Sequence, residues 1–268
     1  MSATVLAGPV PARVGPTWPR VLAADVRRLA TLRSTWWFAA SLVLFTVGLG
    51  SFPALGVAAG ALEGTPEDVG PLGGSLSGIT VAQLLVAAFA VLSVTAEYAS
   101  GAVTSTLTAV PRRTTTVLAR AGVVTAGVLA VSLAVLAGTF AVAQALLASG
   151  GVQLPVAPGV VRALAGAGAH LGLAATIAVA LGWLLRSTAG ALAVFVGIFH
   201  VLPVIGVVLP AAVARQVLPW LPGNAAGALM APEPVPDMPP AWAALAALAG
   251  YALAALTLTV VAVRRRDV

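Results

Sequence analysis

Long apolar runs separated by short polar breaks set the pattern of this chain. About 20 mostly apolar residues span a bilayer's hydrocarbon core as a helix. Six runs qualify: 35–56, 78–96, 121–148, 160–185, 189–209 and 241–263. The runs are continuous rather than alternating, and far longer than the roughly 10 residues of a barrel strand. The pattern predicts an all-α integral membrane protein with six transmembrane helices, forming a single domain over 18–268. Residues 1–17 hold three prolines and no continuous apolar stretch, so they read as a mobile tail rather than a cleaved signal.

Three segments between or before these runs have patterns of their own. In residues 18–37, Trp18, Val21, Leu22, Val26, Leu29, Leu32 and Trp36 share one helical face, with Arg20 and Arg27 opposite. This predicts an N-terminal amphipathic interfacial helix feeding the first span; a plain basic flank is the alternative. Asp25 falls on the apolar side, which is unexpected for a helix lying in lipid. The second segment, 97–120, reads EYASGAVTSTLTAVPRRTTTVLAR. Ser100 or Gly101 can cap a short helix, Val103, Leu107 and Val110 then share a face, and Pro111 ends it. A second helix starts near Thr114 and runs into the third span. The apolar face is offered to a partner outside the membrane, or packs on the bilayer or on the chain's own helices. The third segment, 203–232, has prolines at 203, 210, 219 and 222 yet stays apolar. It predicts a re-entrant or interfacial hairpin between the fifth and sixth spans, because broken helix at membrane depth needs protein or a water-filled cavity to cover it. A surface loop with a short amphipathic helix is the alternative.

Charge orients the spans. Only 8% of residues are charged, and all 14 basic residues are arginines. Twelve of those 14 fall on one side of the six spans, in the N-terminal flank, 97–120, the turn at Arg186 and the C-terminal tail. Five of the eight acids fall on the other side. The positive-inside rule then puts both termini and segment 97–120 in the cytoplasm of a multi-pass plasma-membrane protein. The arginines form no single basic domain, which argues against nucleic acid as a partner.

The chemistry that the chain lacks narrows its function. Without cysteine it has no disulfide, zinc-thiolate site or cysteine nucleophile. Without lysine it cannot carry a P-loop, so any ATP that drives it is bound, with Mg²⁺, by another polypeptide. His170 and His200 are the two histidines, too far apart for an HExxH zinc site. No catalytic residues and no metal ligands emerge. No Asp or Glu lies inside a span, which disfavours an ion-coupled carrier. Gln83, Gln144, His170 and His200 are the larger polar groups at membrane depth; they line a substrate path or make interhelical hydrogen bonds. Gly168 and Gly172 form a GxxxG pair beside Ala165 and Ala169, a signal of close helix packing and more weakly of a dimer seam.

Together these features resemble the permease subunits of type-2 ABC exporters (ABC-2 type), particularly the actinobacterial kind. The resemblance covers the whole chain in architecture. ADVRRLATLRSTWW is similar to the family's entry helix, with Asp25, Arg28, Arg33 and Ser34 at its charged and RS positions. EYASGAVTSTLTAVPRR resembles the coupling helix between the second and third spans, with Glu97, Gly101, Val103, Leu107, Pro111 and Arg113 filling its pattern and Arg112 beside them. The closing RRRD resembles the family's exit from the sixth span. Where the family often has lysine this chain has Arg28 and Arg120, and where it has glutamate this chain has Asp25. The resemblance implies two permease subunits, here a homodimer, paired with two separate ABC ATPase subunits. The coupling helix would dock into the ATPase with the entry helix beside it, and ATP binding would shift the helices. That would open a path lined by spans one, two and five and capped by the outer hairpin. The implied function is ATP-driven export, and the apolar interior suggests an amphipathic, lipid-like or drug-like cargo. A non-transporting anchor or sensor that recruits an ATPase would share the same cytoplasmic helix.

Overall fold

The computed structural model describes residues 17–59, 71–101, 113–149, 151, 156–206 and 208–265. Every regular element among them is helical. Helix α1 (Trp18–Thr31) turns through Leu32, a single extended residue, into α2 (Arg33–Ala58). The Trp36 indole N–H donates to Ala30 O at 3.1 Å across this elbow. A short α3 (Pro71–Ser77) leads into α4 (Ile79–Ala99), followed by α5 (Arg113–Ser149) and α6 (Pro158–Leu185). Helix α7 (Thr188–Val196) continues through a π-helical turn (Gly197–Val201) into α8 (Leu202–Gly206). Then come α9 (Ala211–Val217), a 3-10 turn (Leu218–Trp220), α10 (Pro222–Met230) and α11 (Ala241–Arg265).

Six stretches are long and apolar enough to cross a membrane: Arg33–Ala58, Leu72–Ala99, Thr114–Ser149, Pro158–Leu185, Thr188–Gly206 and Ala241–Arg265. The protein is thus an all-α chain with the make-up of a multi-pass membrane protein. The third stretch starts well ahead of the apolar run at 121. Helix α5 has 37 residues, about 56 Å at 1.5 Å per residue, against about 30 Å of hydrocarbon. Its first turns therefore project beyond the apolar run, and they carry Arg120. The second stretch begins with α3, and the fifth stops at Gly206, before the proline-rich region.

Helix α6 is the hub. In its most apolar window 78% of residues are buried, against 22% in the α7–α8 and α11 stretches. Its sequence explains this, because Ala174, Ala175, Ala178, Ala180 and Gly182 let α4, α5 and α11 approach closely. A Cβ on Gly182 would lie 3.3 Å from the Val94 Cβ of α4, and one on Gly172 would lie 3.4 Å from the Leu129 Cβ of α5. Gly168 faces Leu133 of α5. The GxxxG pair is thus used within the chain, where it seats α5 against α6.

Helix α2 tolerates an internal proline for an identifiable reason. Pro53 has no N–H for Leu49 O, and the Ser77 hydroxyl at the end of α3 donates to that carbonyl at 2.8 Å. The freed acceptor shares that hydroxyl with Gly74 O, 2.7 Å away, and α2 stays continuous through Ala58.

The region between the last two spans divides in two. Helix α9 buries no residue, whereas α10 buries Pro222, Ala225, Ala226, Ala228 and Leu229 against α6 and α11. Two glycines of α6 make this possible: Gly166 abuts the Leu229 carbonyl and Gly159 the Pro232 carbonyl. Arg162, between them, donates to Ala231 O at 3.1 Å and Pro232 O at 2.8 Å. A methyl group at Gly166 has no room, so Gly166→Ala should destabilise by about 1–3 kcal/mol, the cost of overpacking. Gly250 of α11 has nothing within 4 Å of its Cβ direction, so Gly250→Ala should be neutral or slightly stabilising. Thermal unfolding in detergent micelles checks both.

Candidate functional site: a buried charge cluster at the end of α4

The arginine-rich end of the bundle is built around the last turn of α4. Glu97 there is 2% exposed, Arg120 of α5 is 1% exposed and Asp25 of α1 is 8% exposed. They meet. Arg120 donates Nε to Asp25 Oδ1 at 3.1 Å and Nη2 to the same oxygen at 2.7 Å. Its Nη2 is also 2.8 Å from Glu97 Oε1, and its Nη1 donates to Ser93 O one turn earlier. Arg28 of α1 completes the set by donating Nη1 to Glu97 Oε1. Two carboxylates and two guanidiniums thus cancel within one patch that joins α1, α4 and α5.

Local geometry brings these groups together. Asp25 and Arg28 are three residues apart on α1 and so share a face, the face that Val21 and Leu29 also bury. Ser93 and Glu97 are four apart on α4 and present a carbonyl and a carboxylate to the same side. Asp25 therefore lies on the apolar side of α1 because its partner is a buried arginine. Moving charges out of water costs several kcal/mol each unless partners restore the interactions, and each member here has at least one. Burial first, then the nearby Arg120 charge, lowers the Arg28 pKa, with Asp25 opposing; Arg28 remains a cation at physiological pH. Among the described residues, Asp25 Oδ2 and Glu97 Oε2 are buried without a hydrogen-bond partner.

The same turn of α4 is tied in the other direction. Tyr98 packs edge-on against Trp183 of α6, with ring centroids 5.7 Å apart, and the Arg186 guanidinium sits 5.3 Å from the Tyr98 ring centre. Arg186 ends α6 in the left-handed conformation (φ 52°). The Thr95 and Thr188 hydroxyls are 2.8 Å apart, which joins α4 to the start of α7. Gly101 also takes positive φ, 71°, and its N–H reaches Tyr98 O at 3.3 Å. It closes α4; the short helix expected after Ser100 or Gly101 lies outside the described residues.

Of the expected docking residues, Glu97 lies in the cluster and Gly101 closes α4. Val103, Leu107, Pro111 and Arg112 lie outside the described residues, as does the side chain of Arg113, whose backbone opens α5. Of the entry-helix residues, Asp25 and Arg28 are in the cluster, whereas Arg33 is exposed at the start of α2. Arg120 is the central residue, and sequence reasoning named it only as a departure from the family's lysine, with no place in a site. The available signal was Asp25 itself, since an acid on an apolar face calls for a buried base.

The polar residues at membrane depth are partly gathered. His170 Nε2 is 3.2 Å from Gln83 Oε1, an interhelical hydrogen bond between α6 and α4. Phe199 of the π-helical turn lies edge-on to His170, with ring centroids 6.0 Å apart, and stacks on Phe195 at 4.4 Å. His200 is the next residue of that turn and only partly buried, and Gln144 is partly buried near the far end of α5. Among the described residues no three His, Asp or Glu side chains form a group able to hold a metal ion.

No protein-family model matches this sequence, and no characterised protein matches it. The functional reading therefore rests on the resemblance read from the sequence and on the chain's own chemistry.

Arg120→Met should destabilise the fold by about 3–5 kcal/mol, because two carboxylates would be left buried beside Arg28 alone. Arg20→Gln, on the exposed face of α1, should change stability by less than about 0.5 kcal/mol. Unfolding in detergent, read by tryptophan fluorescence, checks the contrast.

Proposed function

We propose that this chain is the transmembrane permease subunit of an ATP-driven exporter of the type-2 ABC kind. It would work as a homodimer in the plasma membrane, with ATP and Mg²⁺ bound by separate ATPase subunits on the cytoplasmic, arginine-rich side. One observation carries the reading: the Asp25–Arg120–Glu97–Arg28 cluster. It locks the amphipathic helix and both helix ends that flank segment 102–112 into one frame. A connection between two helices needs 2–8 residues; this one is longer, its sequence spaces Val103, Leu107 and Val110 at helical intervals with Arg112 and Arg113 beside them, and the cluster joins the helices on either side of it. A partner that pulled on the segment would move α1, α4 and α5 together, and Tyr98 would pass the movement to the α6–α7 elbow. These 268 residues also lack the lysine that a P-loop needs, so the ATP that drives export would be bound outside them. The apolar interior supports an amphipathic or lipid-like cargo.

The test is co-expression with a P-loop ATPase encoded beside this chain. Leu107→Asp places a charge on the stripe and should cut co-purified ATPase roughly tenfold or more. Unchanged recovery and unchanged turnover would overturn the docking role. A complex that hydrolyses ATP in vesicles but moves no candidate lipid or drug would identify an ATPase-recruiting anchor instead.

A further inference from the structure

We propose that the crevice between α2 and α4 at the arginine-rich end is a binding site for one anionic membrane lipid, its headgroup on Arg28 and an acyl chain against Phe38, Leu85 and Leu92. The crevice has a volume of about 610 Å³ and opens along the outside of the bundle. Its walls are chemically graded. Arg28, Ser34 and Ser100 line it from the elbow and the end of α4, while Phe38, Leu85, Phe89 and Leu92 line it from residues inside the apolar runs. A charged donor with hydroxyls beside it and a long apolar wall match an amphiphile that carries its charge at one end.

Charge complementarity makes that amphiphile an anion. Arg28 spends one amino group on Glu97; among the described residues, its Nε–H and second amino group make no hydrogen bond, and its side chain is 36% exposed. Arg20, Arg27 and Arg33 on α1 and α2 are exposed and have no acidic partner among the described residues. The two acids within reach, Asp25 and Glu97, are already neutralised by Arg28 and Arg120. Among the residues that line the crevice Arg28 alone is charged, and phosphate oxygens suit the donors of its guanidinium that Glu97 leaves unused. A rigid wall backs the site: Phe38 and Phe89 stack at 4.3 Å between centroids, 11° from parallel, and separate it from a cleft between α1 and α5 lined almost wholly by apolar residues. The bound headgroup would share Arg28 with Glu97, which places the lipid on the cluster that holds α4 and α5 together.

The test uses the full-length purified chain in mild detergent, mixed with equal amounts of dioleoyl phosphatidylglycerol and dioleoyl phosphatidylcholine and read by native mass spectrometry. One phosphatidylglycerol should be retained, favoured over phosphatidylcholine by roughly fivefold. Arg28→Gln should abolish the preference. Ala88→Trp fills the crevice without touching the charge cluster, so it decides the matter if Arg28→Gln fails to fold; it should remove the retained lipid. Equal retention of both lipids by the native chain, or full retention by Ala88→Trp, would overturn the site. Loss on replacing Arg20 and Arg27 together, with Ala88→Trp unaffected, would also overturn it, by showing diffuse attraction to a basic face.

Discussion

The arrangement at the arginine-rich end depends on one buried guanidinium. Arg120 is 1% exposed and reaches two carboxylates and a backbone carbonyl on two other helices. A buried cation without partners would be untenable in so apolar a chain, so its position dictates where α1 and α4 must lie. Asp25 fixes the rotation of α1, Glu97 fixes the last turn of α4, and Arg28 completes the neutrality. The length of α5 follows from the same requirement: its helix has to begin before the apolar run for Arg120 to stand at the level of Glu97.

Around that mount the bundle is assembled from small side chains. In lipid there is no hydrophobic drive between helices, so close backbone approach and a few hydrogen bonds have to hold them. Helix α6 supplies this on several faces. Gly168 and Gly172 admit leucines of α5, Gly182 admits valines of α4, and Gly166 and Gly159 admit the backbone of the last turn of α10 and of Pro232 just after it. The hydrogen bonds sit at intervals along the same seams: Gln83 with His170, Thr125 with Thr176 at 2.6 Å, and Thr259 with Ala180 O at 3.2 Å. The last turn of α4 is where the ionic mount and this packed hub meet, through adjacent residues Glu97 and Tyr98.

Much of this was legible in the chain. Six apolar runs foretold six long helices, because each has to satisfy its own backbone inside a bilayer. The face of α1 was visible in its period, and a helix opening close to Thr114 was visible after Pro111. Asp25 was visible as an anomaly, and Glu97 and Arg28 as charged positions of the family resemblance. Arg120 was hidden because it reads as one more basic residue on a basic flank. Its partner in Asp25 is 95 residues away, beyond the reach of any local pattern. The division of 203–232 into an exposed helix and a buried one was equally hidden, since both stretches are apolar and proline-bounded.

Composition and periodicity by themselves determined the class of this protein, the number of its spans and the absence of a P-loop, because those follow from local backbone and side-chain chemistry. Which arginine is buried, which glycines carry packing and which serine repairs the break at Pro53 were decided only in three dimensions. Those outcomes depend on pairing across helices far apart in sequence, where the desolvation cost of a charge or a carbonyl is met by whatever neighbour the fold brings to it.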